Sequence, residues 1–111
     1  MTEELVTLEI AKLLKEKGFS QRKYLINVST LHNCYKYLSV PPQSVAQRWL
    51  RETKDLHICI YNTASGYSYE ISKADNGTEV LCMPKGPNDG GKWDTYEEAL
   101  EAGIQEALKL I

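Results

Sequence analysis

The sequence has few of the residue patterns that hold a metal ion. Three cysteines (Cys34, Cys59 and Cys82) and two histidines (His32 and His57) include no pair with the Cys-x-x-Cys or His-x-x-x-His spacing of zinc sites. An odd cysteine count without tight spacing predicts reduced, buried thiols and no disulfide framework. The sequence therefore gives no reason to expect a metal ion or any other cofactor.

Long apolar runs are also missing. No stretch approaches the roughly eighteen consecutive apolar residues of a transmembrane helix, so no membrane segment is expected. The first six residues include two glutamates and no basic residue, so they lack the basic-then-apolar order of a signal peptide. Together with the reduced thiols, this predicts a cytoplasmic protein.

A complete phosphate-binding motif is absent, although residues 86–93 come close to one. The motif requires a serine or threonine directly after its Gly-Lys pair, and Trp93 occupies that position. Asp89 would also place a negative charge where the phosphate binds. We therefore expect a loop here and no nucleotide.

No complete catalytic set is present either. His57 and Cys59 are two residues apart on a predicted strand, so they share one of its faces. However, the sequence identifies no third residue to orient them and no oxyanion site. We do not expect this chain to be an enzyme.

The net charge is small, at −2, but the charges are unevenly placed. Residues 1–55 have nine Lys or Arg and six Asp or Glu, a sum of +3, whereas residues 56–111 have four and nine, a sum of −5. Two explanations remain open: attraction between two faces of one fold, or head-to-tail self-association. Binding of nucleic acid by the whole surface is disfavoured, because the net field repels phosphate.

The clearest structural signal lies in residues 94–111, which predict an amphipathic helix. Thr95 and Glu98 have the spacing of a capping box, in which each side chain bonds the other residue's backbone N–H. A glycine, Gly103, within the apolar stripe indicates that the helix lies close against a sheet. The stripe recurs at steps of three and four and contains Leu100, Gly103, Ile104, Ala107, Leu108 and Ile111.

Two further helices are predicted upstream. Residues 2–17 have an apolar face with acidic residues in the first turn, Gly18 is suited to the left-handed conformation that ends a helix, and Phe19 can fold back onto that face. Residues 41–54 open with two prolines, which the first helical turn tolerates. Val45, Ala46, Trp49, Leu50 and Thr53 form the apolar face of this second helix, and Gln47, Arg48, Arg51, Glu52 and Lys54 lie mostly on the other.

Strand formers and turn residues predict two groups of β-strands. Residues 24–28 and 34–38 are interpreted as a hairpin. Residues 56–61, 67–72 and 78–83 alternate or are rich in strand formers, and Asn76-Gly77 supplies a hairpin turn between the last two. Because such short links join antiparallel strands, the three form an antiparallel sheet.

These elements predict an α+β fold in one domain. Residues 1–40 contribute the N-terminal helix and the hairpin, and residues 41–111 form a helix, three strands and a helix. In this arrangement a three-stranded antiparallel sheet is covered on one face by helices.

The order of elements in residues 42–111 resembles that of the double-stranded-RNA-binding domain. Such domains dock on RNA through the first helix, the loop between the first two strands, and lysines that open the last helix. Here those places hold Gln43 and Gln47, residues 62–65, and the glutamates Glu97 and Glu98. The resemblance therefore implies this topology, without the lysines that contact phosphate.

Two other resemblances concern short motifs. Residues 94–102 are similar to a helix opening in HicB-type antitoxins. Residues 6–19, 42–44 with 49–52, and 94–103 resemble a family of short proteins from gut Bacteroides-type bacteria and their phages or mobile elements. No activity is assigned to that family, so the resemblance implies a source and a small fold but no mechanism.

Function is predicted from the surface. Tyr61, Tyr67 and Tyr69 give the sheet more aromatic residues than one small core requires, which favours a non-enzymatic module that binds a protein partner or a second copy of itself, as in a homodimer. The alternative is a nucleic-acid-binding accessory protein of a mobile element. It would use the basic face of the second helix, formed by Arg48, Arg51 and Lys54.

Overall fold

A computed structural model describes residues 4–19, 24–27, 37–82 and 84–111 and confirms the α+β fold. The part after residue 42 has the predicted order of helix, three strands and helix. The elements are α1 (Leu8–Glu16), β1 (Leu25–Asn27), β2 (Tyr37–Ser39), α2 (Gln43–Thr53), β3 (Leu56–Thr63), β4 (Gly66–Lys73), β5 (Glu79–Cys82) and α3 (Tyr96–Lys109).

The main sheet is antiparallel with the order β3-β4-β5. Alternation along the strands gives it two different faces. Ile58 lies opposite Ile71 and Ile60 opposite Tyr69, and these side chains belong to the hydrophobic core or pack against it. The other face carries His57, Cys59 and Tyr61, as the period-two pattern predicts.

The helix α3 covers the core face of the sheet, as its apolar stripe predicts. Leu100, Ile104 and Leu108 are buried. Gly103 is buried as well, and a Cβ atom there would lie 2.9 Å from Ile58 Cγ2. The prediction for Ile111 is wrong: this residue is exposed, because the helix ends at Lys109 and the chain leaves the core.

The predicted start of α1 is also wrong. The helix begins at Leu8, with Thr7 as its N-cap, and not at residue 2. Residues 4–6 instead run beside the start of α2, where Val6 N donates to Pro41 O (3.0 Å) and Gln43 N donates to Glu4 O (2.9 Å). The second bond satisfies one of the N–H groups that a helix start leaves unpaired. The predicted end of α1 is confirmed by Gly18 (φ 107°) and by the buried Phe19.

The helix α2 follows the two prolines as predicted, but its buried face differs in part. Ala46 and Leu50 are buried and Trp49 is half-buried with an edge-on contact to Phe19 (5.6 Å between ring centroids). Thr53 is exposed, contrary to the prediction, because it lies in the last turn beyond the sheet. Gln43 is buried instead.

The predicted hairpin is present as the antiparallel pair β1 and β2, with Ile26 opposite Leu38. The second strand lies at residues 37–39, and the predicted strand residues 28 and 34–36 lie outside the described residues. The burial predicted for the cysteines is wrong: Cys59 and Cys82 are both exposed, because they lie on the face of the sheet away from the helices. Cys34 lies outside the described residues. Among the described residues, no helix has the length and apolar character needed to cross a membrane.

Candidate protein-interaction surface

One concave feature in the described part of the chain is a groove of about 370 Å³, lined by several glutamates, beside the first turns of α3. It lies where the extended residues before α1, the start of α2 and the loop before α3 meet. We call it the acidic groove. It is lined by Glu4, Leu5, Thr7, Gln43, Pro87, Trp93, Glu97, Glu98, Glu101, Ala102 and Gln105.

Glu101 and Gln43 tie the sides of the acidic groove together. One carboxylate oxygen of Glu101 accepts from Thr7 N (3.1 Å) and Thr7 Oγ1 (2.7 Å), and the other accepts from Gln43 Nε2 (3.1 Å). The Gln43 amide also donates to Glu97 O (2.9 Å). These bonds join three segments that are distant in sequence, so the groove is built into the fold.

The rim carries the charge that remains available to a ligand. Glu4 and Glu97 are exposed, and no hydrogen bond or ion pair engages their carboxylates among the described residues. Glu98 accepts a hydrogen bond from Thr95 Oγ1 (3.0 Å), while Glu98 N donates to the same hydroxyl (3.1 Å). Half of the predicted capping box is thus confirmed; the glutamate bonds the threonine hydroxyl and not its backbone N–H.

Apolar side chains lie between these carboxylates. Leu5 is 53% exposed, and Trp93 is half-buried with its ring centroid 5.3 Å from that of Tyr69. Backbone bonds in both directions between Trp93 and Tyr67 hold the tryptophan beside β4. The acidic groove can therefore accept an aliphatic stem and a cationic group at the same time.

The basic residues predicted on α2 lie on a different part of the molecule. Arg48 is exposed, and Arg51 and Lys54 are half-buried. The Lys54 ammonium lies 5.6 Å from the centroid of the Trp49 ring, a cation–π contact. Arg48 and Arg51 are three residues apart and share a helix face. Together these side chains form a short basic ridge.

The three tyrosines predicted as a surface are not brought together. Tyr69 is buried in the core, and Tyr67 contacts Tyr96 edge-on on the same side of the sheet (6.1 Å). Tyr61 lies on the opposite face, across from Ser68. The hydroxyl groups of Tyr61 and Ser68 are buried and have no hydrogen-bond partner among the described residues.

The positions through which a double-stranded-RNA-binding domain docks are used differently here. Gln43 is buried against α3, and the Gln47 amide donates to Ile58 O (2.7 Å) at the edge of the sheet. The start of the last helix presents Glu97 and Glu98 to solvent. Gln43 and Gln47 therefore make contacts within the fold.

Three backbone donors of the glycine-rich loop bond to Asn88. Asn88 Oδ1 accepts from Gly90 N (3.0 Å) and Lys92 N (2.8 Å), and Asn88 O accepts from Gly91 N (2.9 Å). The amide of Asn88 thus takes the place that a phosphate oxygen would need. This is the structural reason why the near-match to a phosphate-binding motif is a closed loop.

The face of the sheet away from the helices carries both described cysteines, and both are exposed. Glu70 lies between them, opposite Cys59 on one side and Cys82 on the other. A side-chain hydrogen bond with Glu79 is the main influence that raises the pKa of the Cys82 thiol, which lowers its thiolate fraction. In the described parts of the chain, no group of three or more His, Cys, Asp or Glu side chains is placed to hold a metal ion.

Sequence reasoning did not predict the acidic groove. Its lining comes from residues 4–7, residue 43 and residues 87–105, and no local pattern relates these segments. One signal was available: the glutamates at the start of α3 exceed what one helix end requires. Interaction with the helix dipole explains why these residues are negatively charged, but it does not predict the groove beside them.

Comparison with known protein families, with curated proteins and with solved structures finds no match to this chain.

Proposed function

We propose that this chain is a non-enzymatic protein-interaction module, and that its acidic groove binds a segment of a partner protein bearing Lys or Arg next to an aliphatic residue. The single observation that carries this proposal is that one concavity combines carboxylates that have no partner among the described residues with apolar side chains that are at least partly exposed. Glu4 and Glu97 supply the charge, and Leu5 and Trp93 supply the apolar contact.

The chemistry of the groove favours this class of ligand. A lysine or arginine has a long aliphatic stem that packs on apolar surface while its charged end stays at the polar rim. Trp93 lines the groove and is the aromatic residue type with which a guanidinium or ammonium interacts most strongly. The network of Glu101, Thr7 and Gln43 holds the groove in place before a ligand arrives, which lowers the cost of ordering on binding.

A nucleic-acid-binding role is the second candidate, supported by the basic ridge of Arg48, Arg51 and Lys54. A ridge of this size neutralises few phosphates, and the acidic start of α3 repels them. Such binding would weaken steeply with salt and would not depend on the acidic groove.

Titration of the isotope-labelled protein with short synthetic peptides tests the proposal. A Lys-Leu-Lys-Leu peptide is the probe, and a Glu-Leu-Glu-Leu peptide is the matched control. We expect the amide signals of residues 5, 97 and 101 and the Trp93 indole signal to shift with the basic peptide alone. Glu97→Gln combined with Glu4→Gln should weaken binding by about tenfold, from the loss of charge-assisted contacts.

Two outcomes would contradict the proposal. Shifts spread evenly over the acidic surface would indicate non-specific attraction. Binding of duplex RNA or DNA in a gel-shift assay would favour the nucleic-acid candidate instead. This holds if the binding is lost in Arg48→Ala with Arg51→Ala but kept in the glutamine variant.

A further inference from the structure

The strand β3 is an edge of the sheet, and half of its outer side has no partner among the described residues. The hydrogen-bond pattern fixes which backbone groups point outward. Tyr67 N and Lys73 N bond on the side of β4 away from β3, to Trp93 O (2.7 Å) and Thr78 O (2.8 Å). In an antiparallel pair the residues opposite them therefore direct their own N–H and C=O groups away from β4.

Those opposite residues belong to one alternating set on β3. Asn62 lies opposite Tyr67 and Leu56 opposite Lys73, so Leu56, Ile58, Ile60 and Asn62 point outward. The bond from Gln47 Nε2 to Ile58 O (2.7 Å) agrees with this direction and caps the edge at Ile58. Beyond it, the backbone groups of Ile60 and Asn62 have no partner among the described residues.

The open segment lacks the features that usually protect an edge strand. Natural edges carry lysine, proline, a bulge or an inward-pointing charge. The chain from residue 56 to residue 69 contains no Asp, Glu, Lys, Arg or Pro, and the β3–β4 register is continuous. The opposite edge differs, since β5 is short, begins with Glu79, has a register shift in its pairing with β4 and is followed two residues later by Pro84.

We propose that two copies of this chain associate by antiparallel pairing of their β3 edges about a two-fold axis at Tyr61. In this register Ile60 of one copy exchanges backbone hydrogen bonds with Asn62 of the other. The cap at Ile58 sets the register, because it leaves the edge available only beyond that residue. The proposal is independent of the acidic groove.

A second copy suits this edge because the edge is self-complementary. The two-fold axis places Tyr61 opposite its own counterpart as a non-hydrogen-bonded pair, with Cα atoms about 4.5 Å apart, where aromatic side chains favour pairing. Cys59 then faces Thr63. Every facing pair is uncharged, so no like charges oppose the approach of an identical strand.

Asn62→Pro tests the pairing with little disturbance of the single chain. Proline removes the outward N–H of residue 62, which β4 does not use, and proline is tolerated at such edge positions. Asn62→Ala is the matched control, because it removes the same side chain and keeps the N–H. By sedimentation equilibrium from about 10 µM to about 1 mM, we expect wild type and Asn62→Ala to dimerise alike. Asn62→Pro should weaken dimerisation by roughly 30-fold, from two lost hydrogen bonds per dimer.

Amide hydrogen exchange of the unmutated chain decides the matter even if the proline variant fails to fold. We expect the amides of Ile60 and Asn62 to become protected as concentration rises. The amide of Tyr61, which bonds to β4, should be protected at every concentration. A monomeric wild type at about 1 mM would overturn the proposal, including the case in which the edge binds only a foreign peptide. A dimer in which Ile60 and Asn62 stay unprotected would overturn it as well.

Discussion

At Gly103 the backbone of α3 comes within contact distance of the sheet. A Cβ atom at this position would lie 2.9 Å from Ile58 Cγ2 and 3.3 Å from Tyr69 Cγ. Distances this short force the helix to move or the core to repack. The absence of a side chain is thus what permits the closing helix to lie as near to the strands as it does.

Gly103→Ala should therefore destabilise the protein, although alanine favours helices over glycine by about 1 kcal/mol. Overpacking a filled core costs about 1–3 kcal/mol, so we expect a net loss of about 1 kcal/mol in the free energy of unfolding. Gln105→Ala, at a half-exposed position on the same helix, is the control and should change stability by less than about 0.5 kcal/mol. Urea denaturation of both variants checks this. A Gly103→Ala variant more stable than wild type would contradict the close packing.

The ionisation of Tyr69 makes the free energy of unfolding depend on pH in the alkaline range. Burial, with a smaller contribution from Glu106, raises the pKa of Tyr69 to about 12. The unfolded chain loses this proton near pH 10, before the folded chain does, so this contribution to stability is complete below pH 10 and is lost as pH rises towards 12. A shift of this size corresponds to a loss on the order of 2 kcal/mol over that range.

Tyr69→Phe removes this proton and should flatten the alkaline part of the stability curve. Lysines also titrate in this range, so the measurement is the difference between wild type and variant in denaturation experiments at pH 9, 10 and 11. The difference should change in favour of Tyr69→Phe as pH rises. Parallel curves would show that Tyr69 does not ionise later in the folded state.

Residues whose role is local could be predicted, and residues whose role depends on distant partners could not. The stripe spacing identified Gly103, and the sequence around Thr95 identified the cap of α3. Gln43 was missed, because a glutamine at the start of a helix has the pattern of an exposed residue. Its partners, Glu97 and Glu101, lie more than fifty positions away along the chain.

The start of α1, like that of α2, is held by contacts with segments distant in sequence. The Thr7 side chain accepts from Ile10 N (3.3 Å) as an N-cap, and the same residue donates from N and Oγ1 to Glu101 on α3. The carboxylate therefore orients the threonine that begins the first helix. A carboxylate on the last helix thus helps to hold the residue that caps the first.

Thr7→Ala and Glu101→Ala should each lower the free energy of unfolding, the first by about 1 kcal/mol for the lost cap. Because the two residues share hydrogen bonds, the double variant should lose less than the sum of the single losses, by about 0.5–1 kcal/mol. Thr95→Ala, which removes the cap of α3, is the matched control and should add independently to Thr7→Ala. Strict additivity of Thr7→Ala and Glu101→Ala would contradict the coupling between the helices.

The order of the elements could be predicted because each carries a strong local signal. Alternation marks β3 and β4, Asn76-Gly77 marks a turn, and the apolar stripe marks α3. The start of α1 could not be predicted, since the residues before it satisfy their backbone groups on Pro41 and Gln43. No rule of helix propensity contains that information.

At the scale of the whole molecule, the basic ridge and the acidic groove are two separate charged surfaces. The basic ridge lies on α2, and three of the nine acidic residues of the C-terminal half, Glu97, Glu98 and Glu101, line the acidic groove. The groove unites three distant segments, so it exists only in the folded chain. This is why the charge asymmetry was readable from the sequence and the surface that carries it was not.

The short bridge between Trp93 and Tyr67 has a consequence for how far assembly can proceed. Trp93 pairs with β4 at Tyr67, beyond the residues of β4 that pair with β5. On that side of the sheet the edge strand is β5, which has a register shift and begins with Glu79. Addition of a strand to the sheet is therefore favoured only at the β3 edge. Two copies joined at β3 cover each other's open edge. The edges that remain in the paired sheets are the short β5 strands, whose register shift and Glu79 disfavour further strand addition.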